Sequence, residues 1–208
     1  DAVHREDTSY PWDPDGQPDR TEMSSSIALM QRLMELKIRF PTRFYYVLGN
    51  HDRPTLTVGR TNKRAGFLLG EKYFEALKEL YGQQYTVLYE QFLGKSPILL
   101  AAKGRVFVHA GPILDADLDQ VRNADVRSIL GPIESMDPIV HQAVDGGEEY
   151  NINSANRFLS DLGLPRETLI LTSHFHNPID WWHKKLLWWT RNPAYSDKVH
   201  NIYAGVRS

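Results

Sequence analysis

The chain has 208 residues, with 24 Lys and Arg against 26 Asp and Glu, giving a formal net charge of −2. Apolar residues make up 41% and charged residues 24%, the balance of a soluble globular domain able to bury a core, and the charge argues against a general nucleic-acid or membrane-surface binder, which needs a basic excess. Cys is absent, so disulfide frameworks, thiol nucleophiles and zinc–thiolate sites are excluded, and any metal site has to be built from the eight His with Asp, Glu and Asn.

No apolar run is long enough for a transmembrane helix. The N-terminal Asp1-Ala2-Val3-His4-Arg5-Glu6-Asp7 has no apolar core and does not read as a signal peptide. The expected protein is soluble, and cytoplasmic rather than periplasmic. The absence of a starting Met points to a fragment or a processed product.

Residues 7–22 hold several Pro and an Asp-Gly step, which predict a surface loop. Asp13-x-Asp15-Gly16 resembles the start of a calcium loop but lacks the later ligands and the closing Glu, so it reads as a turn. A helix is expected next, capped by Ser24, Ser25 or Ser26. Ile27, Met30, Leu33, Met34 and Lys37 recur at helical spacing, and Pro41 lies past the end. Arg43–Leu48 is aromatic and β-branched and predicts a buried strand running into Gly49-Asn50-His51-Asp52.

Residues Glu71 to Gly82 predict a helix with Tyr73, Phe74, Leu77 and Leu80 inward and Gly82 as its stop. Pro97–Ala102 and Arg105–Val108, joined through Gly104, predict a hairpin whose second run ends in His109-Ala110-Gly111-Pro112. Residues 115–145 are polar with short helical patterns. Asn153–Leu162 predicts a helix stopped by Gly163, and Thr168–Thr172 a strand ending in Ser173-His174-Phe175-His176. Val199–Val206 predicts one more strand.

Three predicted strands therefore end in His-bearing polar turns, around His51, around His109 and at His174-x-His176. A single His at a strand end is more often a hydrogen-bonded structural residue. Three of them together point to a metal site at the C-terminal ends of strands, where α/β folds place ligands. Imidazole with carboxylate or amide oxygen suits Mn, Fe, Zn or Ni. His141, His183 and His200 have no motif around them and read as structural. Trp181-Trp182 and Trp188-Trp189, with Lys184-Lys185 between, read first as core or an oligomer contact. Substrate stacking and membrane association are the alternatives.

The motifs resemble those of the calcineurin-like metallophosphoesterases. Gly49-Asn50-His51-Asp52 is similar to their Gly-Asn-His-Asp/Glu signature. Leu33-x-x-Leu36-Lys37-Ile38-x-Phe40-Pro41 looks like the segment before that signature in phosphoprotein phosphatases. Val108-His109-Ala110-Gly111 resembles the Val-His-Ala-Gly of bacterial relatives, and Ser173-His174-x-His176 the Gly-His-x-His motif. Asp1-Ala2-Val3-His4-Arg5 looks like the tail of Gly-Asp-x-x-Asp-Arg-Gly, with His4 where the family has Asp, so the partner of the His51 dyad is left open.

The resemblance implies an α/β fold, a two-sheet sandwich flanked by helices, with the catalytic domain over residues 1–208. The family's Asp-x-His motif and its strand have no counterpart here. That implies a chain truncated at the N-terminus, and the ending soon after a strand suggests a cut at the C-terminus as well. The resemblance further implies two divalent metal ions. Asp1 would bridge them, Asn50, His109 and His174 would hold one, and His176 would hold the other, whose site is incomplete in this chain. This fragment alone would then bind metal weakly and at one site. A hydroxide bridging the metals would attack phosphorus directly. His51 would be the general acid with Asp52 as a replacement partner, and Arg5 and Asn50 would bind the phosphate. The implied substrate is a phosphorylated protein; a dinucleoside polyphosphate or other small phosphoester, and a non-catalytic binding role, are the alternatives.

Overall fold

The computed structural model describes residues 20–52, 57–58, 67–68, 75, 77–146, 152–173, 189–191 and 199–202. For residues 20–26, 51, 57–58, 67–68, 189–191 and 199–202 it describes the backbone alone. The predicted loop at 7–22 lies outside these residues up to Asp19, as do Tyr73 and Phe74. The chain divides into two compact units. One holds residues up to Tyr46, Asn50–Ser96 and Arg127–Ser135; the other holds Val47–Gly49, Pro97–Val126 and Met136 onward.

In the first unit, helix α1 spans Arg20–Arg39. It starts ahead of the serine run, so Ser24, Ser25 and Ser26 sit inside the helix rather than capping it. Ile27 and Met30 are buried, and Leu33 and Met34 half-buried, at the spacing the sequence predicts. Lys37 closes the C-terminal end: its Nζ donates to the Pro41 and Phe44 carbonyls at 2.8 and 3.1 Å and lies 4.6 Å from the centre of the Tyr45 ring. A cation at a helix C-terminus also opposes the negative end of the helix dipole.

The predicted strand Arg43–Leu48 is not one. Arg43 belongs to a turn, and residues 44–49 join no ladder among the described residues. Its aromatic and β-branched composition favours a pleated surface, but a strand exists only where a neighbour supplies a ladder. The Leu48 N–H, in the second unit, does reach the Pro97 carbonyl at 3.1 Å.

A helical segment at 77–81 ends at Gly82, whose N–H donates to Lys78 O at 2.9 Å. Gly82 has φ of +82°, a conformation costly for any residue with a Cβ. Leu77 is buried, but Leu80 is 58% exposed and does not face inward as expected. Helix α2, Gln83–Leu93, follows at once, with no side-chain cap. Its buried Thr86, Tyr89 and Leu93 share one face at helical spacing. Strands β1, Thr57–Val58, and β2, Phe67–Leu68, form a small antiparallel pair.

The second unit is built on a sheet. Strands β3, Leu99–Ala102, and β4, Arg105–Val108, pair antiparallel as predicted. Lys103 and Gly104 turn between them with positive φ, 29° and 72°, a two-residue hairpin of the kind that favours Gly. Strand β5, Leu169–Thr172, lies parallel to β4 with Phe107 opposite Leu171. Strands β6, Trp189–Arg191, and β7, Val199–Ile202, complete the order β3-β4-β5-β7-β6.

Parallel strands need a long crossover, and the segment between β4 and β5 carries three helices: α3, Leu118–Asn123, α4, Pro138–Asp145, and α5, Ile152–Asp161. Short 3-10 turns at Val126–Leu130 and Ile133–Ser135 stand between α3 and α4. Asp117 begins α3 with a reciprocal capping box to Gln120. Asp137 begins α4 by accepting from Ile139 and Val140 N–H. In α5, Ser154, Ala155, Phe158 and Leu159 are buried while Arg157 and Ser160 are exposed. The helix stops at Gly163, φ 65°, with Leu164 N–H on Leu159 O at 2.8 Å, as the sequence predicts. No described helix is long and apolar enough to cross a membrane.

Candidate metal centre

The parallel register of β4 and β5 determines what meets beyond their ends. Phe107 lies opposite Leu171, and His109 and Ser173 each follow the last residue of their strand. Their backbones bond directly, the Ser173 N–H donating to His109 O at 3.0 Å. The Thr172 hydroxyl donates to the same carbonyl at 2.6 Å and lies 3.3 Å from Ala110 O. The His109 side chain is 4% exposed, and its Nδ1 lies 2.9 Å from Ser173 Oγ. Backbone and ring of His109 are thus held by two consecutive residues of the neighbouring strand.

The loop after His109 is secured from another side. Ala110 N–H and Gly111 N–H donate to Ala143 O and Gln142 O, both at 2.9 Å, and Leu114 N–H donates to Gln142 Oε1 at 2.7 Å. Gly111 has φ of 78°, where a Cβ is strained. The C-terminal turn of α4 therefore cradles the segment that carries the motif.

In the first unit, Asn50, His51 and Asp52 form a 3-10 turn directly after the extended segment. Asn50 is half-buried, and Asp52 is 1% exposed. Tyr46 donates its phenol hydrogen to Asp52 Oδ1 at 2.7 Å. The Tyr46 ring packs on Phe92 of α2 at a centroid distance of 5.6 Å. A buried carboxylate requires such donors.

Asp1, His4, Arg5, His174 and His176 lie outside the described residues, as do Trp181, Trp182 and Trp188 and the His51 side chain. Trp189 begins β6. His141 is partly exposed on α4, its Nε2 3.9 Å from Asp145 Oδ2. Among the described residues, no group of three His, Asp or Glu side chains could hold a metal ion. The donors that are described still suit such an ion. In the second unit, the His109 imidazole, held at one ring nitrogen, has the arrangement of a metal-ligating His.

The sequence reading gave no role to Ser173, Thr172, Tyr46 or Gln142. The polar pair Thr172-Ser173 at the end of an apolar strand was a usable signal. Nothing in the sequence marks Tyr46 or Gln142.

The family model of the calcineurin-like phosphoesterases matches residues 13–198. Among solved structures, the chain is similar to a protein serine/threonine phosphatase from Saccharomyces cerevisiae with similarity to human phosphatase PP5. The two share 18% sequence identity and a TM-score of 0.59, over 88% of this chain and 54% of that one. The chain spans about half the length of that structure, and at this identity the likeness is one of fold. Comparison with curated proteins gives no match. The resemblance read from the motifs around His51, His109 and His174 thus agrees with a match along nearly the whole sequence, and the chain belongs to the calcineurin-like phosphoesterase family.

Proposed function

We propose that the protein is a metal-dependent phosphoester hydrolase acting on phosphomonoesters, a phosphorylated protein foremost. The observation that carries this reading is His109: buried at a strand end, held through Nδ1 by Ser173, and one strand away from the segment that leads into His174. Asp1, Asn50, His109, His174 and His176 would hold the metal, a nitrogen and oxygen set suited to Mn, Fe, Zn or Ni. When bound, two such ions supply positive charge against the phosphate oxygens and make water acidic enough to ionise near neutral pH.

The remaining work falls to the chain's own side chains. Arg5 clamps the phosphate through two parallel N–H donors, and Asn50 donates to it as well. His51 gives a proton to the leaving oxygen. Asp52, held by Tyr46, fixes the turn that carries His51 and takes the orienting part that His4 cannot. Residues 1–208 act as one catalytic domain, a two-sheet sandwich flanked by helices, and the Trp181–Trp189 segment is the contact for an oligomer.

The test is hydrolysis of p-nitrophenyl phosphate with Mn²⁺, followed by phosphopeptides against a dinucleoside tetraphosphate. His51→Ala is expected to lower kcat by about 10²–10⁴ while metal stays bound, and a chelator is expected to abolish activity. A wild-type protein that binds metal but hydrolyses none of these would be a binding protein instead.

A further inference from the structure

We infer that Ser173 is a positioning residue for His109: its Oγ accepts the hydrogen on Nδ1, so that Nε2 carries the lone pair offered to a metal. The inference rests on the metal-dependent reading above.

A neutral imidazole has one N–H, and its place is set by what each nitrogen meets. A carboxylate or carbonyl at Nδ1 fixes the choice outright. Here a hydroxyl lies 2.9 Å from that nitrogen. A hydroxyl can give or accept; a metal on Nε2 requires the hydrogen on Nδ1, and the hydroxyl then accepts. The backbone of His109 is held beside Ser173, and its ring is packed in the interior. Its carbonyl takes the Ser173 N–H at 3.0 Å and the Thr172 hydroxyl at 2.6 Å, and its side chain is buried. Each residue directly follows the end of its strand, and the backbone bond between them keeps Oγ and Nδ1 close. The motif that this segment resembles has Gly at the position of Ser173 and offers no hydroxyl there. Ser173 is itself exposed, so water competes for the contact and the expected effect is modest.

Ser173→Ala and Ser173→Thr separate this role from packing. Calorimetric titration of the metal-free protein with Mn²⁺ is expected to show affinity reduced about 10-fold in Ser173→Ala, the lower end for a residue behind a ligand, and retained in Ser173→Thr. Thermal melts of the two variants should match the wild type. The ¹⁵N shifts of the His109 ring in the metal-free protein give an independent reading. Wild type and Ser173→Thr should carry hydrogen on Nδ1, and Ser173→Ala a mixture. A wild-type ring with its hydrogen on Nε2, or Ser173→Ala binding Mn²⁺ as tightly as wild type, overturns the inference. If wild type binds no Mn²⁺ while its ring carries hydrogen on Nδ1, the metal reading fails and the hold of Ser173 on His109 stands.

Discussion

The turn Asn50–Asp52 and the strand end at His109 are held by different sets of bonds. The turn carries a side-chain pair, the Tyr46 phenol on the Asp52 carboxylate, with the Tyr46 ring resting on Phe92. The strand end adds main-chain bonds to its side-chain ones: a parallel register, the Ser173 N–H on His109 O, and two N–H groups of the following loop on the end of α4, beside the Thr172 and Ser173 hydroxyls and the Gln142 amide. Main-chain bonds survive most substitutions, because every residue but Pro carries the same donor and acceptor. A side-chain pair fails when either member changes. The difference teaches that the strand end keeps main-chain bonds when a side chain there is changed, whereas the pair between Tyr46 and Asp52 is lost when either member changes.

Three substitutions bear on that contrast. Tyr46→Phe keeps the ring on Phe92 but removes the donor to a buried carboxylate, and is expected to cost about 2 kcal/mol in urea unfolding. Thr172→Val removes the hydroxyl from His109 O but leaves the Ser173 N–H in place, so about 1 kcal/mol is expected. Equal losses in the two would dissolve the contrast. Gln142→Ala takes away only the acceptor for Leu114 N–H, a part-buried bond, and about 0.5 kcal/mol is expected in the same assay. A larger loss there would mean that the loop after His109 leans more on this side chain than on its main-chain bonds.

Much of the second unit was legible because its signals are local. Gly104 between two apolar runs gave the hairpin, and Gly163 after an amphipathic run gave the end of α5. The motif at His109 follows directly from the strand that the sequence predicts. In the first unit the local signals competed. A serine run offered caps inside a helix that begins at Arg20. Gly82 read as a stop, and a second helix begins at the next residue with no side-chain cap to announce it. Residues 43–48 have strand composition but no ladder among the described residues, and composition cannot report whether a neighbour is there. The contact between Ser173 and His109 was hidden for another reason. It joins residues 64 apart, and only the β4–β5 register brings them level.

The union of α4 with the loop after His109 also governs how the region opens. At the end of α4, Ala143 O accepts the Ala110 N–H, and Gln142 O accepts the Gly111 N–H as well as the Gly146 N–H of its own cap at 3.2 Å. Those two amide hydrogens can exchange with solvent only when that helical turn releases them. Loop and helix end therefore share a single opening event. The segment behind His109 is as protected as the helix it borrows from, although as a loop between secondary-structure elements it would ordinarily be among the first parts to fray.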